Sequence, residues 1–291
     1  MQPRVHFQPP TLSWNGVSAK ASEPRSRRNG VRAGGATETT PAFLQRVSQE
    51  ARNHRAVHHP YLRALASDSL SDSLWALKDF ARHYHGYSAY FPRYLRSTID
   101  QLSAPGHREA LTENLTEESG QYPEDDLRAL RQAGISAEWI VGVPHPELFR
   151  RFAHALGVEP TDADTTAMEV ICWREMFLGI LAEGSPAQSV GALGLGTEGV
   201  VSTMYRYFLP ALQRLGLNPR DTVFFPLHTM VDDHHQATLL DIAGHYARTP
   251  EGRHELEKGM NKALCLRAGF WDWLHARALE PQRPRRGRGA S

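Results

Sequence analysis

Apolar residues recur at helical spacing through almost the whole interior of this chain, and that pattern limits what it can fold into. In residues 73–102 the run is Leu74, Leu77, Phe80, Ala81, Tyr84, Tyr87, Phe91, Leu95 and Ile99. Steps of three or four residues lay one apolar stripe along an α-helix. Pro92 interrupts the run, so a kink or a break into two helices is expected there. Residues 107–118 give another helix. Pro146 stands where the first turn of a third begins, and Gly157 is placed to end it after Leu156. Further helices are expected at 163–183, 198–215, 226–247 and 250–279. Only Thr222-Val223-Phe224-Phe225 looks extended, and it is too short to build a sheet. The expected fold is all-α, a single bundle of about seven helices over residues 41–280.

A chain of 291 residues buries enough surface to fold without disulfide or zinc staples. Cys172 and Cys265 stand far apart with no CxxC between them, which excludes a cysteine-based zinc or iron–sulfur site and fits a reducing compartment. Net charge is +1, unevenly spread. Residues 1–40 carry six Lys/Arg against two Glu, and residues 281–291 carry four Arg and no acid. Both ends are polar and without apolar period, so they are expected to be a disordered basic arm and a disordered Arg-rich tail. The remainder is net acidic, which argues against a nucleic-acid partner. No apolar run is long enough to span a membrane and the first residues lack a secretory core, so a cytoplasmic protein is expected. The composition also holds fifteen histidines, unevenly placed.

Three of them lie in Leu227-His-Thr-Met-Val-Asp-Asp-His-His-Gln236. On a helix His228, Asp232 and His235 fall at about 0°, 40° and −20°, one stripe of potential ligands. Imidazole and carboxylate donors in that ratio suit Fe(II) or Mn better than zinc. Taken alone, the same pattern also describes a polar patch on a surface helix. Glu198 heads a helix with apolar flanks, where burying a carboxylate is costly without a cation; it could equally answer the helix dipole. Glu117 and Glu118 end another helix and could be surface charges, and His145 opens a third and could belong to its cap. Together Glu118, His145, Glu198, His228, Asp232 and His235 make three carboxylates and three imidazoles on four helices, a composition that can hold two iron ions. The ferritin-like arrangement requires two Glu-x-x-His pairs, and this chain has one, Glu251-Gly-Arg-His254.

The order of these motifs resembles the heme-oxygenase-like di-iron oxidases and oxygenases, fold relatives of the thiaminase-II and pyrroloquinoline-quinone-synthesis enzymes. The stretches that carry the resemblance are His59-Pro-Tyr-Leu62, Glu113-Asn-Leu-Thr-Glu-Glu-Ser-Gly120, His145-Pro-Glu-Leu-Phe-Arg-Arg-Phe152, Gly194-Leu-Gly-Thr-Glu198 and the 228–235 motif. They span about 55–240. The resemblance implies that Glu118, His145, Glu198, His228, Asp232 and His235 ligate two Fe(II)/Fe(III) ions, with Glu198 bridging and catalytic. It also implies O2 as co-substrate, an external electron donor and a small-molecule substrate. N-oxygenation of a small amine or guanidine compound in a biosynthetic pathway is the preferred reaction. Oxidative C–C or C–H cleavage of an amino or fatty acid is the alternative. Tyr87 and Tyr205 are expected to reach the substrate, Tyr205 lying two turns beyond Glu198 on the same face. Relatives of this fold often dimerise, so a homodimer is carried as an expectation. A metal-free helical binding protein is the alternative outside enzymes.

Two departures from the pattern stand out. The gap from Glu118 to His145 is long, and the insert Tyr122–Val143 is placed to fold over the site. Residues 80–99 contain no Asp or Glu that could add a ligand from upstream. One decoy is set aside: Gly194-Leu-Gly-Thr-Glu-Gly199 satisfies GxGxxG, but a dinucleotide fingerprint requires a preceding strand, and Met168–Leu181 reads as helix. Those glycines are expected to let a helix approach its neighbour closely. Haem bound through one axial histidine would leave three buried carboxylates without a cation.

Overall fold

Prolines punctuate this chain. The computed structural model describes residues 38–160 and 167–280, the side chains of residues 230–234 excepted. The expected arm and Arg-rich tail fall almost wholly outside the described residues. In chain order the helices are α1 (Thr40–Asn53), α2 (Pro60–Ser67), α3 (Ser73–Ser88), α4 (Phe91–Gln101) and α5 (Pro105–Glu118). Then come α6 (Glu124–Gln132), α7 (Ala137–Ile140), α8 (His145–Ala155), α9 (Met168–Glu183) and α10 (Pro186–Val190). A π-helix, Gly191–Glu198, leads into α11 (Gly199–Tyr205), α12 (Phe208–Arg214), α13 (Pro219–Thr222), α14 (Phe224–Tyr246) and α15 (Pro250–Leu279).

The fold is all-α, with no strand among the described residues. The helix count, fifteen α-helices and one π-helix among those residues, corrects the expectation of about seven. The cause is local. Proline occupies the first turn of α1, α2, α4, α5, α8, α10, α13 and α15. It suits that position because its missing N–H would have no intrahelical partner there, and it cannot continue a preceding helix. Long periodic runs are therefore cut into shorter helices on one apolar face. The break expected at Pro92 separates α3 from α4, and Gly157 ends α8 with φ of +72°. The extended reading of Thr222–Phe225 is also corrected. Asn218 caps the one-turn α13, and α14 begins two residues after it ends, so Phe224 and Phe225 are helical.

Inside, aromatic side chains meet from four directions. Phe80 packs 4.5 Å from Phe208 and 5.9 Å from Trp271, and Phe152 packs edge-on to Phe225 at 4.9 Å, ring centre to ring centre. The helix expected over 198–215 instead starts in the π-helix, which packs against α15 and α14. Its approach to α15 depends on glycine. A Cβ on Gly196 would stand 2.7 Å from that of Ala263, and one on Gly259 would strike the Gln188 carbonyl. The Gly-rich segment thus brings two helix backbones together and delivers Glu198 to the bundle interior. It follows helical chain, as the rejection of a dinucleotide site requires. Among the described residues no helix is long and apolar enough to cross a membrane.

Candidate metal centre

Glu117 and Glu118 close the last turn of α5, and the chain returns to them after the insert. Gly120 (φ +87°) accepts a 2.8 Å hydrogen bond from the Gly142 N–H, and a Cβ on Gly120 would overlap the Val143 backbone. This tie closes the insert at its base, so Pro144 delivers His145 beside Glu118 despite the long sequence gap. The insert itself forms α6 and α7. Its first residue, Tyr122, hydrogen-bonds His145 Nε2 through its hydroxyl at 2.7 Å.

His145 Nδ1 then lies 3.0 Å from Glu118 Oε1, yet it is buried and makes no hydrogen bond among the described residues. The two atoms face each other at ion-pair distance, and both could turn to a cation placed between them. His228 comes from α14, with Nδ1 2.7 Å from the Phe224 carbonyl and its ring centre 4.7 Å from that of His145. The carbonyl fixes Nδ1 as the protonated nitrogen and leaves the Nε2 lone pair free to ligate. Two turns on, His235 Nε2 lies 3.0 Å from Glu117 Oε2. Glu198, at the end of the π-helix, is 4% exposed.

These residues fall into two overlapping groups. One ligand atom each from Glu118, His145 and His228 lie within 4.8 Å of one another, and so do atoms from Glu118, Glu198 and His235. Glu118 is common to both, whereas the resemblance places the bridge at Glu198. Asp232 lies outside the described side chains. Sequence reasoning misses Glu117, which reads as a surface charge but is 4% exposed and bonded to His235. Its signal is the doublet: two adjacent glutamates at a helix end can both turn inward where neighbours surround the last turn.

The electrostatics agree with a cation site. Burial pushes Glu198 up to about 7, with Glu118 adding to the rise and His235 opposing it. Burial, followed by His145, drives His228 down to about 3, so it stays neutral. Burial lowers His235 as well, but the Glu117 hydrogen bond and the nearby Glu198 and Glu118 carboxylates outweigh it and hold the ring up at about 9. Burial would raise Glu118, and the His145, His228 and His235 rings outweigh it, leaving it below the usual carboxylate range. Three buried glutamates facing three imidazoles are stable together only if protons or metal ions share the charge. The donors fit iron. A small cavity opens onto Glu118, His145, Glu198 and His228. Tyr87 and Tyr205 line it, joined by Tyr84 and Thr197, while Tyr90 does not.

Tyr122→Phe should keep the fold and weaken iron binding about 10- to 100-fold, because it removes the group that orients His145. Competitive titration against an Fe(II) chelator measures this, and wild-type affinity in the variant would remove Tyr122 from the site.

Residues 78–268 match the family model described as iron-containing redox enzyme. A curated relative, the 4-chloro-allylglycine synthase of Streptantibioticus cattleyicolor, is 24% identical over 238 residues, covering 79% of this chain and 81% of that protein. Among solved structures, a CADD-like protein of unknown function from Nostoc punctiforme superposes with a TM-score of 0.64 at 17% identity, over 83% of this chain and 99% of that one. A domain of unknown function with a heme oxygenase-like fold from Shewanella denitrificans gives 0.61 at 14% identity, over 81% and 92%. The family match takes in Glu118, His145, Glu198, His228 and His235, the residues of the two donor groups, and with it this chain belongs to the iron-containing redox enzymes of heme-oxygenase-like fold.

Proposed function

We propose that the protein is a non-heme di-iron oxidase that uses O2 to oxidise a small amino acid. The observation that carries this reading is the pair of ligand groups sharing Glu118 at the head of the cavity. Glu118, His145 and His228 would hold one ion, and Glu118, Glu198 and His235 the other. Bound iron would supply electrons to O2 and the oxidising power directed at the substrate.

The remaining work belongs to the chain. His228 offers a neutral imidazole already oriented by the Phe224 carbonyl. Glu117 holds the His235 ring from behind. Tyr122 fixes the His145 ring through its hydroxyl. Glu198, which burial holds protonated up to about 7 in the metal-free chain, would give up that proton to ligate the second ion. Aromatic walls keep bulk water from the cavity.

N-oxygenation, preferred from the sequence, and oxidative cleavage of an amino acid start from the same site. The relative's printed name, a synthase of an amino acid, supports an amino acid as the compound handled and leaves the two reactions to be separated by product. Anaerobic loading with Fe(II) should give about two irons per chain, and His228→Ala should lose one of them together with O2 consumption. Undiminished O2 consumption in His228→Ala would remove the assignment. Iron-loaded protein given O2 and a set of amino acids then decides the reaction by product: loss of carbon marks cleavage, and gain of an oxygen located on nitrogen by fragmentation marks N-oxygenation.

A further inference from the structure

Arg267 is the largest charged side chain that the fold encloses. It lies in α15, 1% exposed, where Nη2 donates to the Tyr87 hydroxyl at 3.3 Å. Tyr84 is the other phenol beside the guanidinium, and no carboxylate meets it: Nε and Nη1 make no well-formed hydrogen bond among the described residues. The guanidinium carbon stands 5.5 Å from the Tyr87 ring centre and 5.3 Å from that of Trp173, which accounts for its packing but not for its unsatisfied donors. Arg277, ten residues on in the same helix, shows how this protein anchors a structural arginine: both prongs of its fork bind Asp79, at 2.8 and 2.7 Å. Burying a guanidinium without a carboxylate is costly, so an anion brought to this end of the fold would be stabilised by it.

The Arg267 hydrogen bond ends on the cavity wall. Tyr87 lines the cavity with Tyr84 and Tyr205, whose hydroxyls are 2.7 Å apart. One part of the wall therefore carries carboxylates and imidazoles, and another carries phenol hydroxyls backed by a buried cation. When divalent ions occupy the acidic part, their charge answers that of the glutamates, and the charge on Arg267 still lacks an anion. Tyr87 accepts from Arg267 and shares its hydroxyl with Thr197 on the same wall, so a substrate oxygen that takes the place of Thr197 meets a hydroxyl polarised by the guanidinium.

We propose that Arg267, acting through the Tyr87 hydroxyl, makes this wall the carboxylate-recognising end of the cavity and selects substrates that carry a free carboxylate apart from the metal ligands. Arg267 is a positioning residue, and Tyr87 makes the contact. This inference rests on the reading of the protein as an amino-acid oxidase and specifies how that substrate is held.

The test is anaerobic calorimetric titration of iron-loaded protein with the aliphatic α-amino acids from alanine to norleucine and with their amides, iron content being measured for every sample. Wild type should bind at least one acid about tenfold or more tightly than its amide. Arg267→Gln and Tyr87→Phe should reduce that acid to the level of its amide with iron content unchanged, and Arg267→Lys should recover part of the preference. If Arg267→Gln does not fold, Tyr87→Phe, which keeps the ring, decides. Equal binding of acid and amide in wild type, binding of neither at millimolar concentration, or a preference that survives both substitutions overturns the proposal. Wild type that takes up no iron overturns the di-iron reading instead. The same titration on metal-free protein then still tests Arg267.

Discussion

Glu118→Ala is expected to abolish iron binding altogether, whereas removal of any other ligand leaves one group of donors intact. Glu118 contributes to both groups, so its loss takes a carboxylate from each ion at once. It also takes away the anion that faces the His145, His228 and His235 rings. Second-sphere substitutions at metal sites typically cost 10- to 100-fold in affinity, and losing a shared ligand costs more than that for each ion. Iron per chain after anaerobic loading and desalting reads the outcome, with near-zero expected for Glu118→Ala. Glu198→Ala is the essential comparison. If Glu198 were the bridge, as the resemblance implies, Glu198→Ala would empty the centre and Glu118→Ala would retain one ion. Glu117→Ala should retain iron at lower affinity, because Glu117 reaches the centre through His235.

Much of this centre is legible in the order of the residues alone, and helical geometry explains why. His228 and His235 share a stripe because seven residues make almost two turns, and α14 holds them on the same side. A carboxylate at Glu198 between apolar flanks announces that it is buried for a reason. Other features carry no local signal. The π-helix is one: Gly191–Glu198 has an ordinary helical period, and its wider winding is set by the crossing with α15. The number of helices is another, since prolines that suit a first turn interrupt the apolar stripes without disturbing them. Arg267 is the least legible. Arginine in a 30-residue helix ordinarily faces solvent, and only the tertiary packing of Tyr87 and Trp173 around it reveals a buried charge. The acidic and imidazole donors stand out because their chemistry is rare at such spacings; the group proposed to hold the substrate does not, because its residue type is common everywhere.

Iron uptake should strengthen steeply with pH, and the protein's stability should come to depend on iron as it does. In the metal-free protein Glu198 holds its proton up to about 7 and His235 up to about 9. His228, at about 3, is already neutral. Both of the first two protons must leave before oxygen and nitrogen can ligate, so uptake of the ion held by Glu118, Glu198 and His235 is coupled to their release, and the affinities below are for that ion. Below pH 7 two protons compete, and affinity should rise by up to about a hundredfold per pH unit; between 7 and 9 only the His235 proton remains, and the slope falls to about tenfold. Stability of the metal-free protein runs the other way. Both groups have folded values above their ordinary ones, so the stability that Glu198 contributes is present at low pH and lost as pH rises through about 7, and that of His235 is lost through about 9. Iron replaces those protons with charges that do not titrate away. Anaerobic melting with and without Fe(II) should therefore show a small gap near pH 6 that widens toward pH 8, with protons released to a weak buffer as iron is added. A gap of constant width with no proton release would mean that Glu198 and His235 hold no metal, and that the buried charges of this bundle are balanced by protons alone.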